Sequence, residues 1–345
     1  MDYRSSVAGS LPKPAWLAQT GKLWPEWRAA GAALVEAKRD ATWIAVAEQE
    51  QCGIECPSDG EQARVHFVHG FLAGLEGIDP DKKVRRGIRN DRYEADCPSI
   101  VGEIRHTQPV HLAEAQAARA MARGLLKFTL PGPMTIVDTL YDAHYRDRKT
   151  AAFAFAKALN AEMRTLVDAG VDVIQLDEPA FNVFFDEVEA WGIDAVDTAF
   201  DGIPVRRALH VCYGYGIEAN IKWKAELGAE WDQYAHIFPF ISRSSVHEVA
   251  IELAGSHVPP HVLAGLIDKD VAVGCIDVAS DEIETVDAVV ATIERAAQFV
   301  PRERIIASTN CGMAPMNREI AYAKLRSLGA GAARALSRDH DLARR

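Results

Sequence analysis

Residues 171–180 read Val171-Asp172-Val173-Ile174-Gln175-Leu176-Asp177-Glu178-Pro179-Ala180, directly behind a stretch, 150–169, whose apolar residues recur three and four apart. A helix-period segment followed by a short β-rich run ending in acids and a proline is the building block of a βα repeat. Pro179 ends the run and fixes the turn after it. The same alternation continues through the chain, with further β-rich runs at 5–9, 53–59, 126–130, 207–212, 248–252, 271–276 and 305–308. About eight such runs, separated by helical stretches, predict a parallel sheet closed as a TIM (β/α)8 barrel. The expected fold class is α/β, a single barrel domain over residues 1–336. Between the second and third runs, about residues 70–110, lie Gly87, Pro98, Pro109 and a possible extra strand at 100–104. This stretch reads as an elaborated loop or hairpin over one end of the barrel. Residues 337–345 are charged, have no apolar face and read as a frayed tail.

Composition narrows the function classes. The 345 residues are 48% hydrophobic and 25% charged, the balance of a soluble globular protein. A formal charge of −11 disfavours a nucleic-acid surface, which needs a basic stripe. No apolar run approaches the roughly 18 residues of a membrane span, and no apolar signal core follows basic residues at the amino terminus. The expectation is a cytoplasmic protein with neither nucleic-acid nor membrane partners. Six cysteines without disulfide-like spacing suggest reduced thiols. Cys52, Cys56 and Cys275 sit in apolar, strand-like runs and read as small buried hydrophobes.

The remaining soft ligands fall at strand ends. His210 and Cys212 are two apart, so on a strand they face the same side. Glu252 closes the 248–252 run, and Cys311 lies just past the 305–308 run, with Gly312 permitting a tight turn behind it. A carboxylate ending an apolar run is costly unless paired, solvated or metal-bound. A thiolate-rich set on separate strands can hold Zn2+ in an open barrel mouth. Spacing alone leaves packed core residues as the alternative. Asp177 and Glu178 stand at the same rim, where acids bind an ammonium group, transfer protons or cap a helix. Asp59-Gly60-Glu61 closes the second run, and Gly9-Ser10 after the first frees backbone amides to approach an anion such as a carboxylate.

In this order, Gly9-Ser10-Leu11-Pro12, Asp59-Gly60-Glu61, Leu130-Pro131-Gly132-Pro133-Met134-Thr135, Asp177-Glu178-Pro179-Ala180, His210-Val211-Cys212-Tyr213 and Asn310-Cys311-Gly312 resemble the catalytic barrel of cobalamin-independent methionine synthase. The resemblance runs over essentially the whole chain. It implies one Zn2+ held by His210, Cys212, Glu252 and Cys311, with homocysteine as substrate and methionine as product. It also implies that Glu61 and Asp177 contact the substrate amino group and that Ser10 lies against its carboxylate. Glu252 is the ligand expected to exchange when substrate sulfur arrives, because zinc favours soft thiolate.

Three positions depart from the long enzymes of that family. Thr139 stands where they carry a tryptophan that stacks on the pterin, and Val183 where they carry an acid serving folate. The chain thus looks like the short, folate-independent core synthases. Its expected methyl donor is something other than methyltetrahydropteroyl-polyglutamate, carried by another molecule or supplied by an accessory protein. Asp277 replaces a histidine thought to donate a proton and is the candidate catalytic residue: either it takes over a polar role there, or the donor's leaving group needs no such acid. Three rival readings are a zinc alkyltransferase acting on a different thiol, such as coenzyme M, a metal-free lyase related to uroporphyrinogen decarboxylase, and a non-catalytic, zinc-stabilised binding protein of a methyl-transfer complex. The acids Glu61 and Asp177 argue for an acceptor with an ammonium group, and an acidic, thiolate-rich mouth argues against an anionic tetrapyrrole.

Overall fold

The structure, a computed structural model, describes residues 3–215 and 217–336. The expected tail at 337–345 lies outside the described residues. Six parallel strands follow one another in chain order in a single sheet: Lys127–Pro131, Val173–Asp177, Arg206–His210, Glu248–Glu252, Asp270–Ile276 and Ile305–Thr309. The first two expected runs appear as single bridges that link the sheet's edges. Ser5 pairs with Ala307, Ser6 with Cys56, and Ser58 with Lys127, all in parallel. Backbone bonds from Ser6 N to Ala307 O (2.9 Å), Cys56 N to Ser5 O (3.0 Å) and Lys127 N to Pro57 O (2.8 Å) complete the ring. These two segments stay short for a chemical reason. Pro57 has no N–H for a longer ladder, and Gly53 and Gly60 adopt left-handed φ of 82° and 65° on either side.

Strand alternation sorts the side chains into two layers. Ile174, Leu176, Leu209, Val249, Ile251, Val271 and Val273 face the helices in the main core. Tyr3, Cys56, Val173, Ala208, Ala250, Ala272 and Ile306 fill the barrel interior. That interior also carries charge. Lys127 and Glu248 are fully buried and 3.4 Å apart, and Arg206 Nε reaches Glu248 at 2.9 Å. Cys56 and Cys275 are buried in the wall as expected. Cys52 is also buried, but it caps the carboxyl end of the helix Gly31–Gln51 and is not part of a strand.

The last helix, Arg318–Ala335, crosses that same end so closely that a Cβ on Gly329 would stand 2.0 Å from Cys52 O. Backbone against backbone cannot give way cheaply. Gly329→Ala is expected to lower stability by about 1–3 kcal/mol, read by denaturant unfolding. Gly124→Ala, where nothing lies within 4 Å, should stay within roughly 0.5 kcal/mol of the parent.

The insertion is a full hairpin of Glu76–Ile88 and Tyr93–Arg105, far longer than the 100–104 strand expected, with Tyr141–Asp142 added beside its second strand. A register break between Asp79 and Val84 absorbs Pro80. Its turn, Arg89-Asn90-Asp91, has φ of 55°, 55° and 61°. The tip is pinned to the short helix Pro133–Asp138 by an ion pair between Arg89 and the buried Asp138, with Arg89 N 3.2 Å from Asp138 Oδ2. No described helix is long and apolar enough to cross a membrane.

Candidate metal centre and active site

His210 ends its strand, and the chain stays extended through Val211 to Cys212, so both side chains emerge on one side of the rim. Cys311 arrives from across the mouth, just past the Ile305–Thr309 strand, which stands three places along the sheet. Ligand atoms of His210, Cys212 and Cys311 lie within 4.8 Å of one another, and the two sulfurs are 3.6 Å apart. Their electrostatics are mutual. The hydrogen bond from Cys311 holds the Cys212 thiol well below its ordinary value, with the His210 ring adding to the effect. Sharing that proton, together with burial, pushes Cys311 well up. Burial opposes charge on His210, but the Cys212 sulfur and Asp177 outweigh it and raise the ring's pKa. Two sulfurs and an imidazole that stabilise one another's charges in a buried corner form a donor set suited to a soft divalent ion.

Glu252 is fully buried next to this trio but outside the 4.8 Å group. Its carboxylate meets Lys224 Nζ at 3.3 Å and accepts weakly from Tyr213 N at 3.4 Å. Burial pushes it up to about 7, with Lys224 pulling down and Cys212 pushing up. Lys224 also lies 3.3 Å from the centre of the Tyr215 ring. No motif marks Lys224, which comes from a poorly amphipathic helix, Glu218–Glu226.

The acids and the first glycine turn converge on the same mouth. Asp177 Oδ1 is 3.1 Å from His210 Nδ1 and 2.7 Å from Gln175 Nε2. No partner for its Oδ2 is found among the described residues. Glu61 has a left-handed backbone, φ 53°, is 7% exposed and accepts from Thr129 Oγ1 at 3.0 Å. Burial raises its pKa, and the charges of Asp177 and Asp59 add to that while Arg64 opposes it. Gly9 leaves room for Glu61, because a Cβ would sit 2.9 Å from Glu61 Oε1 and push that side chain aside. Ser10 packs over Gly312, and its carbonyl accepts from Met313 N at 2.7 Å, so the first and last motifs lock together.

Glu178 does something different from its neighbour. It accepts from Met134 N (2.8 Å), Thr135 N (2.9 Å) and Thr135 Oγ1 (2.7 Å), which caps the helix Pro133–Asp138. Of the Asp177-Glu178 pair, Glu178 is thus the helix cap, while Asp177 stands at the rim. Lys13, past Ser10, is 8% exposed and has no hydrogen-bond acceptor among the described residues, only the Trp27 ring 5.8 Å away. Burial lowers its pKa to about 8. The folded lysine sheds its proton near 8 and the unfolded one near 10.5, so in between the unfolded chain holds more protons and stability climbs with pH. Across that window the parent is expected to gain up to roughly 3 kcal/mol relative to Lys13→Met, measured by urea unfolding in parallel pH series.

These groups surround a cavity of about 200 Å³ whose far wall is the hairpin, through Ile88, Arg89, Tyr93 and Cys97. Ser10, Glu61, Asp177, His210, Cys212, Cys311 and Thr139 all line it. Trp24, stacked on His66 with centroids 4.8 Å apart, adds an aromatic edge that the motifs did not reveal. Val183 lines a separate groove beyond Arg89. Asp277 does not itself line the cavity: its neighbour Val278 does, while Asp277 Oδ1 accepts from Ala279 N at 2.8 Å and the side chain packs on Gly255. One carboxylate oxygen thus helps to build the turn after the strand.

With this geometry in hand, relatives are informative. The family described as "Cobalamin-independent synthase, Catalytic domain" matches residues 4–334. A methionine synthase from Sulfolobus acidocaldarius is 31% identical over 322 residues, covering 93% of this chain and 88% of the relative. One from Saccharolobus solfataricus is 29% identical, covering 95% and 93%. Among solved structures, a B12-independent methionine synthase from Shewanella sp., in complex with selenomethionine, superposes with a TM-score of 0.93 at 45% identity, covering 96% of this chain and 97% of that one. A methyltransferase from Methanosarcina mazei shares the fold, with a TM-score of 0.65 at 13% identity.

Proposed function

Since the chain belongs to the catalytic-domain family of cobalamin-independent methionine synthases, and is thus a methyltransferase, we propose that it methylates the thiol of L-homocysteine with the help of Zn2+. The observation that carries this reading is the convergence of His210, Cys212 and Cys311 on the cavity that also receives Glu61 and Asp177. His210, Cys212 and Cys311 would hold the ion. Glu252 is the fourth, oxygen donor in this reading, and Lys224 is the cation that shares it. Zn2+ bound there supplies a Lewis acid that lets a thiol ionise at neutral pH without a strong base.

The chain's own residues do the positioning. Asp177, with one oxygen held by Gln175 and His210, offers the other to the substrate ammonium, and Glu61 faces it across the mouth. Ser10 lies by the substrate carboxylate. Two acids and an amide turn grip the amino-acid end, which leaves the sulfur as the only free end, aimed at the two cysteines. Fixing one reactant in this way is worth several kcal/mol of barrier. The hairpin wall and the Trp24 edge keep bulk water from the sulfur.

The methyl donor in this proposal is not methyltetrahydropteroyl-polyglutamate. Thr139 lines the cavity where an aromatic platform would be needed, and Val183 is turned away from it. A different carrier, delivered by an accessory protein, fits a mouth that retains the sulfur-binding half. Metal analysis of the purified protein followed by calorimetric titration with homocysteine tests the core of the proposal. The expected result is close to one zinc per chain and thiol binding that releases a proton. Zinc-free protein that ignores homocysteine even after zinc is added would end it. Growth rescue of a methionine auxotroph, with and without the neighbouring genes, tests the accessory protein.

A further inference from the structure

We infer that Arg64, buried behind the rim, is a positioning residue: it closes the barrel seam where the second segment's ladder stops, and through that seam it seats Glu61 for the substrate ammonium. The role of the ammonium rests on the proposed function, whereas the seam belongs to the chain alone. Ser58 and Lys127 form a single bridge between the second segment and the Lys127–Pro131 strand, and no further pair follows it among the described residues. Thr129, two residues on, turns its carbonyl to the same side as Lys127, where a longer strand would have met it. Arg64 meets it instead. Its Nη1 donates to Thr129 O at 2.7 Å, and its Nη2 donates to Asp59 Oδ2 at 2.6 Å. A buried carbonyl needs such a donor, and the planar guanidinium fork serves both edges of the gap at once. Nε faces Glu114 Oε2 at 3.5 Å, the guanidinium carbon lies 4.7 Å from the centre of the Phe128 ring, and a Cβ on Gly70 would stand 3.0 Å from Arg64 Cγ. The side chain is thus pinned along its length.

Glu61 is tied to both sides of this seam. Its carbonyl accepts from Arg64 N at 3.3 Å, which closes the turn that begins at its left-handed backbone. Its Oε1 is bonded to Thr129 Oγ1 at 3.0 Å, on the residue whose carbonyl Arg64 holds. A hydroxyl can donate or accept, so this bond fixes where the carboxyl sits in either protonation state. Charge decides which state it is. Burial favours the neutral acid, as do Asp177 and Asp59, while Arg64 and, after it, Lys13 favour the carboxylate that an ammonium needs. Glu61 lines the mouth, and its Oε2 has no hydrogen-bond partner among the described residues. Arg64 is buried and does not line the mouth, so it acts on a substrate only through Glu61.

The test separates position from packing. Arg64→Met leaves the buried Asp59 uncompensated, so Arg64→Met combined with Asp59→Asn, which removes both halves of the pair, is the variant to read if the single change does not fold. The single variant is compared with the parent, and the double variant with Asp59→Asn. In metal-free protein carrying 13C-labelled glutamate, the Glu61 carboxyl signal, assigned by its loss in Glu61→Gln, is expected to titrate at a higher pH once Arg64 is gone. In zinc-loaded protein, calorimetry compares homocysteine with γ-mercaptobutyrate, the same thiol acid without its amino group. Homocysteine binding should weaken by about 10–100-fold, the loss expected for a hydrogen bond to a charged group, while binding of the analogue stays as it was. Glu61 titrating at an unchanged pH would overturn the inference. So would homocysteine binding that is unchanged or weakened no more than the analogue's, because Arg64 would then support the pocket as a whole. A parent that binds neither ligand, with Glu61 shifting as expected in the variants, would reject the proposed function and leave the seating of Glu61 standing.

Discussion

Cys311→Ser is expected to abolish rescue of a methionine auxotroph and to cost at least about a thousandfold in kcat/KM, roughly 4 kcal/mol of transition-state stabilisation. Serine is smaller and harder, and its hydroxyl stays protonated where a thiol ionises, so the proposed zinc site would lose one of two sulfurs that lie 3.6 Å apart. Zinc content should fall with activity, and His210→Ala combined with Cys311→Ser should cost little more than either change alone, as befits parts of one unit. Cys275→Ser is the control. Cys275 is a buried wall residue whose thiol burial pushes up to about 12, and it does not line the mouth. Its serine variant should keep zinc and rescue growth. Rescue by Cys311→Ser itself would remove the role assigned to that sulfur.

The second large effect is on stability. Glu248→Ala is expected to destabilise the barrel by about 3–5 kcal/mol, a large share of a domain's usual margin. Glu248 is fully buried and balances Lys127 and Arg206 while accepting from Tyr3 OH. Removing it leaves Lys127 charged in the barrel interior with only neutral acceptors. Pairing the change with Lys127→Met should restore much of the loss, because a buried ion pair can be replaced by apolar groups of similar size more cheaply than it can be broken. Thermal and urea unfolding of the two single variants and the double variant would measure the coupling. Equal stability of Glu248→Ala and the parent would mean that water reaches this layer.

The barrel was legible because period and punctuation agree in its wall. The last six runs of the sequence correspond to strands within about two residues, since each is a short apolar stretch stopped by a polar residue, Gly or Pro. The first two were harder. Their placement was right, but Pro57 and the flanking glycines reduce them to single bridges. The hairpin's extent was hidden because Pro80, Gly87 and Pro98 look like breakers, and only a register shift and an edge position make them compatible with strands. At the rim, His210, Cys212, Cys311, Asp177, Glu61 and Ser10 were readable as residues ending strands. Lys224, Trp24 and the buried Lys127 were not. Their partners Glu252, His66 and Glu248 lie far away in sequence, and a lysine carries no local mark of what it will face. Asp277 is the reverse case: it directly follows a strand, but one of its carboxylate oxygens turns back to its own loop.

The short helix Pro133–Asp138 gains meaning from what grips its two ends. Glu178, adjacent to the rim acid Asp177, holds its first turn, and Arg89 at the hairpin tip holds its last residue. Six residues span only about 9 Å, too short a rod to bend. The roof of the chamber and the acid in its rim are thus bolted to opposite ends of one strut. In the proposed reaction, a shift of the Arg89 clasp would therefore reach the acid offered to the amino group through the same piece of backbone.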